Sequence, residues 1–141
     1  MAAQAEAHAG RCLCGAVRYR VHGPLRDIQV CHCGQCRRWH GHLGASTSAA
    51  RADVTLEDGG ALRWYARSPR GRLGFCGVCG SSLFFEPAGE ARLAIAAGSL
   101  DQPSGLKIMG HEYVADKADY VTIDDGLPAF PGDFGAEREK A

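Results

Sequence analysis

The cysteines are the residues of this sequence whose type and spacing could do chemistry. All seven fall into three short clusters of the 141-residue chain: Cys12-x-Cys14, Cys31-x-Cys33-x-x-Cys36 and Cys76-x-x-Cys79. Thiolates are soft ligands that select zinc among the common cellular divalent ions, and short spacings let one turn of backbone direct several sulfurs at one metal. The pattern therefore predicts a metal-binding protein with zinc as its cofactor.

Disulfide bonds are the competing interpretation of so many cysteines, and two features argue against it. The first residues of the chain show neither the basic segment nor the apolar segment of a secretory signal. The two cysteines of a Cys-x-Cys pair are too close along the chain to bridge each other easily. No apolar run approaches the roughly 18 residues of a membrane span. We expect reduced cysteines, a cytoplasmic location and no membrane association.

Seven thiols provide one closed site of four ligands and three further ligands. The clustering favours a tetrahedral structural zinc held by Cys12, Cys14, Cys76 and Cys79, here called the four-cysteine cluster. The three-cysteine cluster, Cys31, Cys33 and Cys36, would hold a second zinc with one open position, as catalytic zinc sites do. If each Cys-x-Cys pair lies on a strand, both of its sulfurs project to the same face and can hold one ion.

Two alternatives remain open from the spacing. Cys33-x-x-Cys36 and Cys76-x-x-Cys79 together resemble a zinc ribbon, although the intervening span of 39 residues is long for one. Alternatively, the three-cysteine cluster could be a second structural site closed by a histidine, for which His32, His40 and His42 are near enough in sequence. His32, between two ligands, could also point to the opposite face of a strand.

The rest of the chain predicts a mainly β protein. Val17, Tyr19 and Val21 alternate with polar or small residues, which is the period of a half-buried strand over 14–21. Gly59-Gly60 is typical of a hairpin turn. We predict further strands over 27–30, 43–49, 54–56, 61–66, 72–75, 82–85, 91–96 and 107–114, and one helical turn over 116–120. A single domain over 11–134 would follow a flexible tail, 1–10, and precede a second tail, 135–141.

Charge limits the partners of this chain. Sixteen basic and sixteen acidic residues give zero net charge, so no basic surplus is available for nucleic acid. Nucleic acid is therefore not an expected partner.

A known family shares these motifs. The runs Cys12-x-Cys14-Gly15, Cys31-x-Cys33-x-x-Cys36-Arg37-x-x-x-Gly41 and Phe75-Cys76-Gly77-x-Cys79-Gly80-Ser81-x-Leu83 resemble the glutathione-dependent formaldehyde-activating enzyme family, also called the GFA or centromere protein V family. The similarity continues through Ala97-Gly98-Ser99-Leu100-Asp101, His111-x-x-Val114 and Leu127-Pro128-x-Phe130. It covers about residues 10 to 131, with all seven cysteines in place.

The resemblance implies a fold, a ligand set and a reaction. The fold is a β-tent of several twisted antiparallel sheets clamped by zinc. The four-cysteine cluster is structural, and Cys31, Cys33 and Cys36 act in catalysis through the second of two zinc ions. The implied reaction is that of a carbon–sulfur lyase on the adduct of glutathione, or a related thiol, with an aldehyde, such as S-hydroxymethylglutathione. Because glutathione carries two carboxylates, the resemblance points to Arg37, which adjoins the three-cysteine cluster, and to Trp39, as a wall of the pocket, as substrate-binding residues. The alternative is a non-catalytic binding module in which both zinc sites are structural.

Overall fold

The computed structural model describes residues 7–134 and confirms the mainly β class. Within these residues the chain forms ten strands, one short α-helix and three single turns of 3₁₀-helix. The strands are β1 (Ala7–Arg11), β2 (Arg18–His22), β3 (Ile28–Cys31), β4 (Gly44–Ala50), β5 (Val54–Glu57), β6 (Leu62–Ser68), β7 (Gly71–Cys76), β8 (Ser82–Pro87), β9 (Arg92–Ala96) and β10 (Ile108–Glu112). The helix α1 spans Gly34–His40, and no helix in this part of the chain is long and apolar enough to cross a bilayer.

The described chain divides into two compact units. The first comprises residues 7–26 and 47–106, and the second comprises residues 27–46 and 107–134. The four-cysteine cluster lies entirely in the first unit and the three-cysteine cluster entirely in the second. The single domain over 11–134 stays a prediction, and the predicted tail 135–141 lies outside the described residues.

The first unit contains most of the apolar core. Strands β1, β2 and β5 form an antiparallel sheet in that order, and β4, β9, β8, β7 and β6 are neighbours in a second sheet. Val17, Tyr19 and Val21 are buried, as their alternation predicts. The Tyr19 ring packs edge-on against Phe84 with ring centroids 5.3 Å apart. Burial of these faces is the main stabilising contribution in this unit.

The second unit contains fewer strands than the first. Strand β3 pairs with the first residues of β4 in antiparallel register and with β10 in parallel register, which departs from an all-antiparallel expectation. Ile28 and Val30 are buried, and Phe130 packs against Phe134 with centroids 4.7 Å apart. Helix α1 lies in the connection from β3 to β4; Cys33 is its N-cap and Cys36 lies in its first turn.

Four local predictions need correction. Residues 7–10 belong to β1, which pairs with β2, and therefore are not a flexible tail; residues 1–6 lie outside the described part. Helix α1 is absent from the predicted elements because seven residues are too few to show an apolar helical period.

Gly59-Gly60 forms a turn but no hairpin, because β5 pairs with β2 whereas β6 pairs with β7. The helical turn expected over 116–120 is a 3₁₀ turn at Val114–Asp116.

Candidate metal centres

The four-cysteine cluster has the dimensions of a tetrahedral sulfur site. Its four Sγ atoms all lie within 4.8 Å of one another. The Sγ atom of Cys14 is 3.7 Å from that of Cys12 and 3.9 Å from that of Cys76. A Zn–S distance of about 2.3 Å in a regular tetrahedron separates sulfurs by about 3.8 Å. This donor set therefore fits a zinc ion, and the sulfurs are too far apart to be disulfide-bonded.

Loops, rather than the predicted strand, bring the first pair of sulfurs together. Cys12 and Cys14 follow the end of β1, while Cys76 is the last residue of β7 and Cys79 lies in the turn after it. The chain bends between these residues, and Cys12 Sγ accepts a hydrogen bond of 3.3 Å from the backbone N–H of Val17. That bond needs a chain that turns back on itself, which an extended strand cannot provide.

Further hydrogen bonds reach the sulfurs of Cys76 and Cys79. Cys76 Sγ accepts from the backbone N–H groups of Val78 and Cys79, at 3.3 and 3.4 Å. Ser81 Oγ lies 3.1 Å from Cys79 Sγ, and this hydrogen bond is the main cause that lowers the pKa of Cys79 to about 5. Thiolates are the form that binds metal. Cys12 and Cys76 are also buried in the apolar core, so an ion here would join the core directly.

The three-cysteine cluster is built around the start of helix α1. Cys31 ends β3, Cys33 is the N-cap of α1, and Cys36 lies in its first turn. Cys33 Sγ accepts a hydrogen bond of 3.4 Å from the backbone N–H of Cys36, and the three Sγ atoms lie within 4.8 Å of one another. A Cβ atom at Gly44 would approach Cys36 Sγ to 3.0 Å, so a glycine there leaves room for that sulfur.

Electrostatics indicate that this cluster needs a cation to hold all its thiols as thiolates. Hydrogen bonds from the thiols of Cys31 and Cys36 lower the pKa of Cys33 to about 2. Hydrogen bonding to Cys33 is the main cause that raises the pKa of Cys31 far above its usual value. The thiol of Cys33 therefore loses its proton easily, whereas the thiols of Cys31 and Cys36 keep theirs, because negative charges at this distance repel one another. A divalent cation removes this penalty.

No histidine completes this cluster among residues 7–134. The nitrogen atoms of His32, His40 and His42 are not within 4.8 Å of all three sulfurs. His32 is instead buried, with 2% of its surface exposed, and its Nε2 atom lies 2.9 Å from Nδ1 of His111. The grouping of sulfurs also differs from a zinc ribbon, since Cys33 and Cys36 join Cys31 rather than Cys76 and Cys79.

Behind His32 the structure reveals a hydrogen-bonded chain of three side chains. His111 Nε2 lies 2.7 Å from Oδ2 of Asp125. The carboxylate accepts from Nε2–H of His111, so Nδ1 of His111 accepts from Nε2–H of His32. The hydrogen bond from His111 is the main cause that lowers the pKa of Asp125. Asp125 was missed because it lies in an irregular segment 14 residues after His111, where spacing carries no signal.

The predicted substrate residues lie on α1 but have different surroundings. Arg37 is half-buried and lines a cavity of about 580 Å³, together with Arg38 and Lys117. Trp39 is also half-buried, yet it is not among the residues that line this cavity. Their roles in substrate binding stay predictions.

Fold and site together define a mainly β protein with two cysteine clusters, each of which could hold a metal ion. The sequence profile of the family described as glutathione-dependent formaldehyde-activating enzyme matches residues 7–116. The chain belongs to this family, as the cysteine motifs predict.

Comparison with solved structures supports the fold. The crystal structure of a Rhodobacter sphaeroides protein, a target of the Northeast Structural Genomics programme, superposes with a TM-score of 0.57. The match has 23% sequence identity and covers 71% of this chain and 98% of the other. A search of curated proteins gave no significant match.

Proposed function

We propose that this protein is a zinc-dependent carbon–sulfur lyase, which forms or cleaves the adduct of glutathione, or a related thiol, with an aldehyde. S-Hydroxymethylglutathione is the example that the family name suggests. The observation that supports this proposal is the contrast between four converging sulfurs in one cluster and three in the other. Structural zinc sites have four protein ligands, whereas catalytic zinc sites leave a position for substrate.

Each cluster then has its own role. The four-cysteine cluster would hold a structural ion beside the core of the first unit. Cys31, Cys33 and Cys36 would hold the second ion, and a zinc there would keep a substrate thiol in its thiolate form. Three thiolates around Zn²⁺ give a net charge of −1, which weakens attraction for a carbonyl oxygen. Thiol capture and positioning are therefore the proposed contribution, rather than carbonyl activation.

The reaction balances without an oxidant or reductant. The sulfur of the thiol attacks the carbonyl carbon of the aldehyde, and a C–S bond forms as the C=O double bond becomes a single bond. The thiol proton ends on the aldehyde oxygen; cleavage is the reverse. Arg37 would pair with a substrate carboxylate and Trp39 would limit access of water. The cytoplasm, where thiols stay reduced, is the proposed location.

Exchange spectroscopy tests this activity directly. Glutathione and ¹³C-formaldehyde equilibrate spontaneously with their adduct, and magnetisation-exchange NMR measures the rate at equilibrium. Zinc-loaded protein should accelerate exchange in proportion to its concentration. Cys36→Ala should abolish the acceleration, whereas Arg20→Ala, on an exposed position of β2, should retain it. Absence of acceleration by fully loaded protein would refute the lyase activity.

Calorimetry with a zinc-release dye distinguishes the lyase from the alternative, a binding module with two structural sites. When glutathione is titrated into fully zinc-loaded protein, it should bind to the protein or release zinc from it. Cys36→Ala should remove either response. If glutathione neither binds nor moves zinc, a closed structural site is the better description of the three-cysteine cluster.

A further inference from the structure

Strand β6 is an exposed edge strand of the first unit. It stands at the end of its sheet and pairs with one neighbour, β7, among the described residues. Five of its seven residues are exposed, whereas Leu62 and Trp64 are half-buried and pack against the core. The free side of an edge strand presents backbone donors and acceptors to which another extended segment can bind. This side of β6, over Leu62–Ser68, is here called the free edge.

The register with β7 shows which backbone groups point outward at the free edge. The N–H of Gly77 donates to the carbonyl of Ala61 at 2.7 Å, so the backbone groups of Ala61 face β7. Hydrogen-bonded and non-hydrogen-bonded positions alternate along an antiparallel pair, and Leu62 and Trp64 therefore direct their backbone groups away from β7. Asp58 Oδ2 accepts from the N–H of Leu62 at 3.2 Å. Within residues 7–134, the carbonyl of Leu62 and both backbone groups of Trp64 are thus available to a partner strand.

The hairpin of β6 and β7 is strongly basic, although the whole chain has no net charge. Residues 61–75 contain four arginines and no acidic residue: Arg63, Arg67, Arg70 and Arg72. The Arg72 guanidinium is paired with Glu86 of β8 at 2.7 Å, but Arg51 shares that carboxylate at 3.8 Å. One further acid, Glu90, follows in the next turn. Positive charge therefore remains in excess along the free edge, and it favours a negatively charged partner.

A second copy of this chain is a poor occupant of the free edge. In an antiparallel pair of two β6 strands, the arginines of one copy would lie near those of the other, and like charges across strands are destabilising. A β-bulge adds to this barrier: Tyr65 lies opposite Leu73 and Ser68 opposite Gly71, so β6 has one residue more than β7 in this interval. Basic residues and bulges commonly protect edge strands against self-association. An acidic strand from another protein avoids the charge repulsion.

Nucleic acid fits the free edge less well than an acidic peptide does. Proteins that bind single strands stack the bases on aromatic rings in addition to contacting the phosphates. The Trp64 ring is covered by the Arg72 guanidinium, whose central carbon lies 4.2 Å from the ring centroid, and it stacks on Phe84 with centroids 6.3 Å apart. These contacts occupy the ring that a base would need, whereas the outward backbone groups of the same residue suit a peptide.

We propose that the free edge of β6 binds an extended, acidic segment of a partner protein, which adds one strand to the sheet. The outward backbone groups of Leu62 and Trp64 pair with this segment, and Arg67 and Arg70 attract its carboxylates. The regular part of the edge, before the bulge, is short, so charge attraction supplements the backbone hydrogen bonds. The interaction goes beyond the proposed lyase activity and does not depend on it.

The probe is an octapeptide of alternating glutamate and valine, acetylated and amidated at its ends. Its binding to zinc-loaded, ¹⁵N-labelled protein is measured by NMR titration and amide exchange. The Trp64 amide should shift and exchange more slowly with solvent, whereas the Arg63 amide, which faces β7, should already be protected in the free protein. Two control peptides separate the causes of binding. One carries lysine in place of glutamate, and the other is N-methylated at every residue, which keeps the charge but blocks strand pairing.

We expect neither control peptide to bind. Arg67→Glu and Arg70→Glu should each raise the Kd of the acidic peptide by roughly threefold or more, whereas Arg20→Glu, at an exposed position of β2, should leave it unchanged.

Four results would overturn the proposal. A Trp64 amide that does not respond to millimolar peptide would show that nothing docks at the free edge. Equal binding of the N-methylated peptide would show charge attraction without strand pairing. An octanucleotide of thymidine that shifts the same amides with equal affinity would show a general polyanion surface. Dimerisation in sedimentation experiments, with the Trp64 amide already protected in the absence of peptide, would assign the edge to a second copy of the chain.

Discussion

Nε2 of His32 lies 2.9 Å from Nδ1 of His111, and both rings are buried. His32 stands between two cysteines of the three-cysteine cluster, and its backbone N–H also donates to the carbonyl of Glu112 at 3.0 Å. The pair therefore ties the segment between Cys31 and Cys33 to β10. Asp125 fixes the far end by accepting from His111. Such partners orient a metal site without contacting the ion.

Removal of His111 should weaken metal retention at the three-cysteine cluster. His111→Phe keeps an aromatic ring but removes both hydrogen bonds, and loss of such partners typically costs about 10- to 100-fold in metal affinity. Competition with a chromophoric chelator should show a weaker or faster-exchanging ion at this cluster and an unchanged ion at the four-cysteine cluster. His22→Phe, at an exposed position of β2, is the control. Two unchanged ions in His111→Phe would contradict the role given to this histidine.

The two clusters should differ in their effect on folding. Cys76 is fully buried in the core of the first unit, whereas Cys33 is half-buried at the N-terminus of a seven-residue helix. Structural zinc provides roughly 10 kcal/mol or more of folding free energy, which is comparable to the entire stability of a small domain. Cys76→Ser should therefore abolish cooperative thermal unfolding, while Cys33→Ser should retain it.

Metal analysis and circular dichroism measure both effects. Cys33→Ser should lose one of two ions and keep its folded signal, whereas Cys76→Ser should lose its folded signal. Collapse of Cys33→Ser together with loss of both ions would favour the zinc-ribbon grouping over the one seen here.

The Asp125 carboxyl should titrate below the ordinary value of 3.8 for an aspartate. Its pKa is lowered mainly by the hydrogen bond from His111. The folded state binds this proton more weakly than the unfolded state, so the stabilisation is complete above the ordinary pKa and is lost as pH falls through the lowered pKa. NMR of the ¹³C-labelled carboxyl should record a depressed midpoint, which His111→Phe should move upward. A midpoint that His111→Phe leaves in place would assign the depression to another cause.

Two leucines allow one substitution to be compared in opposite environments. Leu83 is fully buried between core strands, whereas Leu13 has 82% of its surface exposed. Leu83→Ala should lower the free energy of unfolding by about 2–5 kcal/mol, because it removes buried apolar surface and leaves a cavity. Leu13→Ala should change it by less than about 0.5 kcal/mol. Urea unfolding of the zinc-loaded protein measures both; comparable losses would mean that Leu13 is covered in solution.

The local periodicity of the sequence predicts most strands well. Val17, Tyr19 and Val21 alternate and are buried, and Ser68-Pro69-Arg70-Gly71 closes the antiparallel pair β6 and β7 as turn residues do. Pairing between strands is less local. Gly59-Gly60 has the composition of a hairpin, but composition does not specify which strands pair across a turn. Here β5 finds its partner in β2, more than thirty residues earlier in the chain.

The amino-acid sequence by itself determined which cysteines form the two clusters that could hold metal ions, because ligand type and short spacing are both local properties and seven thiols divide naturally into four and three. It also identified the family, since those same motifs extend along the chain. Only the tertiary structure decided what surrounds the thiols. Asp125 reaches His111, and Lys117 reaches the cavity beside Arg37, because folding brings together residues that are distant in sequence, and no spacing rule records such encounters.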